Sequence, residues 1–196
     1  APPEHAGEAI GIDVGLGSFA ALSDGETVPP PKFLLRSERQ IKRAQRVLSR
    51  RKKGSKRRAK QREKVACLHL AVSRQRDDFQ WKLAADLARR FSRIAVEDLN
   101  IRGLIRNRHL SKSISDASWS AFIHKLEHAV VKTGSRLVKV DARNTSRTCS
   151  SCGWIKDSLT LSERTFRCEK CGLVLDRDVN AARNILRVGR DTAEVT

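Results

Sequence analysis

With 196 residues the chain can hold one domain of ordinary size and a small module, and 39% hydrophobic residues allow a core without covalent staples. A formal charge of +18 argues for a polyanionic partner, and no apolar run is long enough to span a membrane. The start, Ala1-Pro2-Pro3-Glu4-His5, lacks the charged head and apolar run of a signal peptide, and the absence of Met at any position leads us to expect a processed, excised or truncated chain.

In chain order, Ala9-Ile10-Gly11-Ile12-Asp13-Val14 reads as a buried strand carrying one acid. Gly15 and Gly17 mark a turn, and Ser18 to Leu22 return as a second strand. Ser23-Asp24-Gly25 signals a hairpin into a short third strand near Glu26-Thr27-Val28, and Pro29-Pro30-Pro31 stops the sheet.

The character changes at Lys32. Between Lys32 and Lys64 stand 16 Lys or Arg against Glu38 and Glu63 alone, so this stretch supplies 14 of the +18. Leu34, Ile41, Val47 and Leu48 fall near helical spacing, Lys53-Gly54-Ser55 interrupts, and Val65, Leu68, Val72, Phe79, Leu83 and Leu87 resume it to about Arg90. The expectation is a basic helical hairpin over 32–90. Like charges at this density repel unless phosphates lie near, so Arg43, Arg46, Arg50, Arg51, Lys52, Lys53, Lys56, Arg57 and Arg58 are the candidate nucleic-acid contacts. Aromatics make up only 5% of the chain, which argues against base stacking as the main mode of binding.

Arg93-Ile94-Ala95-Val96-Glu97 is a strand ending in an acid, followed by the turn Asp98-Leu99-Asn100. Residues 101–115 read as a basic loop. Asp116 is placed to cap a helix with the stripe Trp119, Phe122, Ile123, Leu126 and Val130, which Gly134 stops. His124 and His128 on that helix read as an exposed face rather than metal ligands, and Trp119 and Trp81 as core anchors; Trp154 is undecided. Leu137 to Val140 is another strand, Asp178 to Leu186 a last helix, and the chain from Arg187 is expected to fray.

Between these elements lie Cys149-Ser-Ser-Cys152 and Cys168-Glu-Lys-Cys171. A C-x-x-C turn points two thiolates at one ion, and two such turns at this separation close a tetrahedral site for one structural zinc. Disulfides fit less well, because the chain can build its own core and Cys67 sits alone in a helical stretch. Thiols kept reduced by zinc suit a cytoplasmic protein. A site closed by four thiolates does no chemistry, so chemistry must come from elsewhere.

Three acids stand where apolar structure ends or is interrupted: Asp13, Glu97 and Asp178. A carboxylate inside Ile-Gly-Ile-Asp-Val-Gly is costly to bury unless paired. Several converging carboxylates would hold divalent cations, and two such ions make a phosphodiester hydrolysis site. Each acid alone is equally well a solvated residue at the end of an element, and spacing leaves this open.

The set Gly11-Ile12-Asp13-Val14-Gly15, Val96-Glu97-Asp98-Leu99-Asn100, Ser115-Asp116-Ala117-Ser118-Trp119, Cys149-Ser150-Ser151-Cys152-Gly153 and Asp176-Arg177-Asp178-Val179-Asn180-Ala181-Ala182 resembles the C-terminal half of the TnpB (OrfB) family. These are transposon-encoded, RNA-guided nucleases similar to type V CRISPR effectors. The resemblance runs in order from about Gly11 to Leu186. It implies an α/β fold, a mixed RNase H/RuvC-like sheet, with a zinc ribbon inserted before the last helix. The domain layout would then be a nuclease core over 1–143 containing the hairpin, a target-nucleic-acid-binding ribbon over 144–175, a final helix over 176–188 and a flexible tail over 189–196.

It further implies that Asp13, Glu97 and Asp178 hold catalytic Mg2+, two ions, for DNA cleavage, with Asp176 ranked below Asp178. DNA and a guide RNA are the implied partners. Full members carry a preceding region that holds the guide, so this sequence reads as an N-terminally truncated member. The alternative is a catalytically silent or non-autonomous nucleic-acid-binding remnant.

Overall fold

The computed structural model describes residues 7–99, 110–141, 143–160 and 163–192. Asn100 and the basic stretch 101–109 lie outside the described residues. The chain divides into two compact units, Pro31–Lys82 and the remainder.

The larger unit is built on a five-stranded mixed sheet in the order β3-β2-β1-β4-β5, formed by β1 (Ala9–Asp13), β2 (Ala20–Leu22), β3 (Thr27–Val28), β4 (Arg93–Glu97) and β5 (Arg136–Val140). β1 is antiparallel to β2 and parallel to β4, which is parallel to β5. Register follows burial: Ile10, Ile12, Ile94 and Val96 are buried between layers, and a slip of one residue would expose them.

Pairing of Gly11 with Ala95 and Ile12 with Val96 sets the next two residues, Asp13 and Glu97, side by side at the C-terminal edge of the sheet. By strand alternation both share the face of Gly11 and Ala95. That face is covered by the last helix, α5 (Arg177–Asp191), whose Ile185 forms a cluster with Ala95 and Val140. Small residues make the approach close: a Cβ at Gly11 would lie 2.1 Å from the Ala182 carbonyl oxygen, and one at Gly189 would lie 2.5 Å from Ala95 Cβ. The opposite face carries α4 (Trp119–Thr133), where Phe122 meets Phe19 edge-on at 5.2 Å.

Three local expectations are corrected. The chain beyond Arg187 does not fray; it stays helical to Asp191, because Gly189 lets that turn press against Ala95. Residues 193–196 of the expected tail lie outside the described residues. Asp116 is not a cap: Ser111–Ala117 form a short helix, α3, within the stretch expected as loop. Ser118, in a left-handed conformation at φ 51°, separates it from α4.

The smaller unit is the helical hairpin, α1 (Phe33–Ser49) and the first part of α2 (Lys56–Arg90). Ile41, Ala44 and Val72 are buried in it and Phe33 meets Phe79 edge-on at 6.1 Å. Gly54, at φ 80°, makes the turn. Trp81 is 43% exposed and so is not a buried core anchor, which corrects that expectation. Among the described residues no helix is long and apolar enough to cross a membrane.

Candidate metal centres and nucleic-acid interface

The cysteine site is built from two matching knuckles. At the first, the Cys149 N–H donates to the Trp154 carbonyl at 2.7 Å and the Gly153 N–H to the Cys149 carbonyl at 3.0 Å. The second repeats this with Cys168 to Leu173 at 2.9 Å and Gly172 to Cys168 at 3.0 Å. Gly153 and Gly172 both sit at φ 76°, where a side chain would be strained, so the glycine after each C-x-x-C is what lets the turn close. β6 (Thr165–Arg167) and β7 (Val174–Asp176) pair antiparallel to carry the second knuckle. Phe166, Trp154 and Leu173 pack around Cys149 and Cys168, which gives Trp154 a structural place in the ribbon.

All four Sγ atoms lie within 4.8 Å of one another, with Cys149 to Cys171 and Cys152 to Cys168 both at 3.6 Å. Disulfide sulfurs would be about 2.05 Å apart. Four sulfurs at about 2.3 Å from one zinc lie roughly 3.8 Å from each other, so the observed spacing fits the ion and excludes the bridges. Burial would raise the Cys168 thiol, but the N–H groups of Cys171 and Lys170 outweigh it and hold the thiol down at about 7, readying it to bind metal.

The ribbon is clamped to the last helix by two buried asparagines one turn apart. Asn180 Nδ2 donates to the Thr148 carbonyl at 2.8 Å, and its Oδ1 accepts from the Ser150 N–H at 3.0 Å. Asn184 Nδ2 donates to the carbonyls of Thr145 and Thr148 at 2.9 and 2.6 Å. The sequence pattern offered Asn180 only as part of a motif and did not single out Asn184; polar residues on the buried stripe of an amphipathic helix were the signal.

The acids meet at the edge of the sheet. Asp13 has its carboxyl pushed well above the usual range, by burial first and then by the charges of Glu97 and Asp178. Burial raises Glu97 as well, against the pull of the Thr145 hydroxyl, which donates to Glu97 Oε1 at 2.5 Å. Asp178 sits in the first turn of α5, where a Cβ on Gly15 would lie 3.9 Å from its Oδ2. Its Oδ1 accepts from Arg177 Nε and Nη2, both at 3.1 Å. Asp176 is used differently: its Oδ1 accepts from the N–H groups of Asp178 and Val179, capping the helix.

Like charges brought together and half-buried, with Arg177 as a partner for one, form a donor set that a hard divalent cation suits. Among the described residues these carboxylates are not gathered as tightly as the thiols. Two further side chains were not singled out in the sequence. Thr145 is buried and orients Glu97. Arg164, from the ribbon, lies over Gly17, where a Cβ would come within 2.6 Å of its Nη1.

On the hairpin, Arg43, Arg46, Arg50, Arg51, Lys52, Lys53, Lys56 and Arg57 are exposed. Arg58 departs from the expected set. Its Nη1 donates to the carbonyls of Leu48 and Arg51 at 2.7 and 3.0 Å, where α1 ends and the chain turns toward α2. A cleft of about 670 Å³ is lined by Arg51, Arg57, Lys60 and Lys64 with Glu63, so its charge is strongly positive. Lys60 and Lys64 extend the expected contact set. His124 and His128 are both exposed, and His124 Nδ1 lies 2.9 Å from Glu127 Oε2.

The OrfB family of insertion sequence IS605, described as "Probable transposase", matches residues 1–108, and the "Cas12f1-like, TNB domain" family matches residues 119–185. A Streptomyces pristinaespiralis protein named "Putative RNA-guided DNA endonuclease" is 42% identical over 92% of this chain and 45% of its own length. The Escherichia coli "Putative RNA-guided DNA endonuclease InsQ" is 29% identical over 96% of this chain and 50% of its own. The chain therefore spans about half the length of the curated relatives it matches. Among solved structures, a Cas12f1–sgRNA–target DNA complex aligns with TM-score 0.65 at 21% identity, covering 90% of this chain and 49% of that one. A CRISPR–Cas12f ternary complex aligns with TM-score 0.68 at 23% identity, covering 95% and 40%. The fold is thus Cas12f-like: a five-stranded mixed sheet with helices and a four-cysteine cluster that can hold zinc.

Proposed function

Since the chain belongs to the TnpB (OrfB) family of transposon-encoded proteins, we propose that it is the catalytic half of an RNA-guided, metal-dependent DNA endonuclease of RuvC type. The observation that carries this reading is the meeting of Asp13, Glu97 and Asp178 at the C-terminal edge of the sheet, where burial and mutual repulsion raise Asp13. Carboxylates held in this way are stable as anions only when a cation neutralises them. Mg2+ held by the three would activate the attacking water and stabilise the leaving oxygen.

The chain's own groups do the rest. The Thr145 hydroxyl holds one carboxylate oxygen of Glu97, and the Asp176 cap fixes the first turn of α5 and with it the backbone of Asp178. Arg164 brings a guanidinium beside the β1–β2 turn, where it can face the phosphate of a bound strand. Exposed cations of the hairpin hold the nucleic-acid backbone without reading sequence. One zinc in the four-thiolate site supplies structure and no chemistry. Guide RNA and target DNA are partners by extension from the relatives' names and the neighbouring complexes.

The experiment is cleavage of labelled single-stranded DNA with Mg2+ by the wild type beside Asp13→Ala, Glu97→Gln and Asp178→Asn. Expected are nicked products with the wild type, near-complete loss in each variant and unchanged DNA affinity. Equal cleavage by wild type and Asp13→Ala would refute the site, and binding without cleavage by either would mark a silent member.

A further inference from the structure

At the end of β4 lies a cavity of about 170 Å³. Glu97 borders it, so cavity and acids share one strand end. Its apolar walls are Trp119 and Ile123 of α4 with Leu99, and Lys139 of β5 and His124 stand at its rim. Trp119 is 4% exposed, and among the described residues its indole N–H has no acceptor. A buried donor without a partner is costly unless something supplies an acceptor. Glu127 gathers the two rim groups, with Oε1 2.7 Å from Lys139 Nζ and Oε2 2.9 Å from His124 Nδ1.

Pockets enclosing whole small-molecule ligands run to about 300–1,000 Å³, so this cavity suits a single ring system. Its chemistry is an apolar slot with the Trp119 ring in its wall, the carboxylates of Glu97 and Asp98 as acceptors, and Lys139 and His124, each paired with Glu127, beside them. A nucleobase offers flat faces, an acceptor and donors, and carries a phosphate behind it. We propose that this cavity is a base subsite: it takes the base of a nucleotide at a fixed step from the bond to be cut, while Lys139 and His124 hold that nucleotide's phosphate. The proposal rests on the nuclease reading above and deepens it. Holding one base beyond the strand end would draw the backbone over β4 toward the acids and set which phosphate they meet.

Single-stranded oligonucleotides, each with one abasic site, would be cleaved with Mg2+ and the products mapped at nucleotide resolution by the wild type, Ile123→Phe and Lys139→Gln. Ile123→Phe fills the slot; Lys139→Gln alters a half-exposed rim residue and leaves the fold alone. With the wild type, cleavage should dip about tenfold at one bond at a constant offset from the abasic site, the size of one lost stacking contact. In Ile123→Phe the dip should vanish while the other bonds are still cut. Lys139→Gln should raise KM with kcat little changed and keep the dip. Wild-type cleavage with no dip at a constant offset, or a dip that survives in Ile123→Phe, overturns the subsite and leaves the nuclease reading standing. No wild-type cleavage refutes the nuclease reading, and the subsite falls with it.

Discussion

Gly11→Ala tests the contact on which the carboxylate arrangement depends. Its added Cβ would lie 2.1 Å from the Ala182 carbonyl oxygen, 2.6 Å from the Leu186 nitrogen and 2.8 Å from Leu186 Cβ. Carbon atoms settle at about 3.5–4.0 Å from one another, so α5 has to retreat by roughly 1 Å. Overpacking costs typically ~1–3 kcal/mol, and because two of these neighbours are backbone that no rotamer change can clear, we expect about 3 kcal/mol or more. For a chain of this size each 1 kcal/mol lowers Tm by roughly 2–4 °C, so the loss should be about 6–12 °C. Asp178 rides on the same helix, and a displacement near 1 Å can cost about a hundredfold in rate. Gly17→Ala is the control for stability. Its Cβ meets only the far end of the Arg164 side chain, 2.6 Å from Nη1, which can swing aside. Differential scanning calorimetry and the single-stranded DNA cleavage assay would be run on both. A Gly11→Ala protein with wild-type Tm and wild-type cleavage would refute the close seating of α5 on β1.

Chelation of zinc, or Cys168→Ser, should unfold residues from about 145 to 175 and leave the central sheet formed, read as zinc release together with hydrogen exchange confined to the ribbon; structural zinc contributes ~10–16 kcal/mol of apparent binding energy in small fingers. Replacing Arg50, Arg51, Lys52, Lys53, Lys56 and Arg57 by Gln should flatten the salt dependence of DNA affinity by about 0.7–0.9 log units per lost contact per decade of salt, whereas Arg58→Gln should lower thermal stability through the end of α1. Asp176→Ala removes the helix cap and should cost about 0.5–2 kcal/mol in urea titration, with cleavage reduced far less than in Asp178→Asn. Asp13 has a raised pKa, so the folded, ion-free chain binds its proton more tightly than the unfolded chain does. Its contribution to stability is therefore greatest below the unfolded value of about 3.9 and is lost as pH rises through the raised one. Mg2+ should restore Tm at high pH and do nothing at low pH, and a Mg2+ shift independent of pH would count against the carboxylate site.

The four-cysteine cluster was legible in the residues because both halves are local. Each C-x-x-C closes its own turn, and the glycine after it supplies the left-handed backbone that the turn needs. Strands and long helices were legible for the same reason, since alternation and helical spacing are properties of neighbouring residues. The convergence of Asp13, Glu97 and Asp178 was not, because the three are far apart in sequence and only the resemblance joined them in advance. What joins them physically is register: Gly11 opposite Ala95 sets the acids of β1 and β4 side by side, and a helix able to lie on Gly11 carries in the third. Arg58 shows the limit from the other side. Composition counted it among the phosphate contacts, but only the folded hairpin reveals that the end of α1 leaves carbonyls within its reach. Residue type and spacing thus determined the local turns and the supply of charge. Which charges face one another, and which are spent on the fold, was decided by long-range packing, because an electrostatic partner is chosen by distance in space and not by distance along the chain.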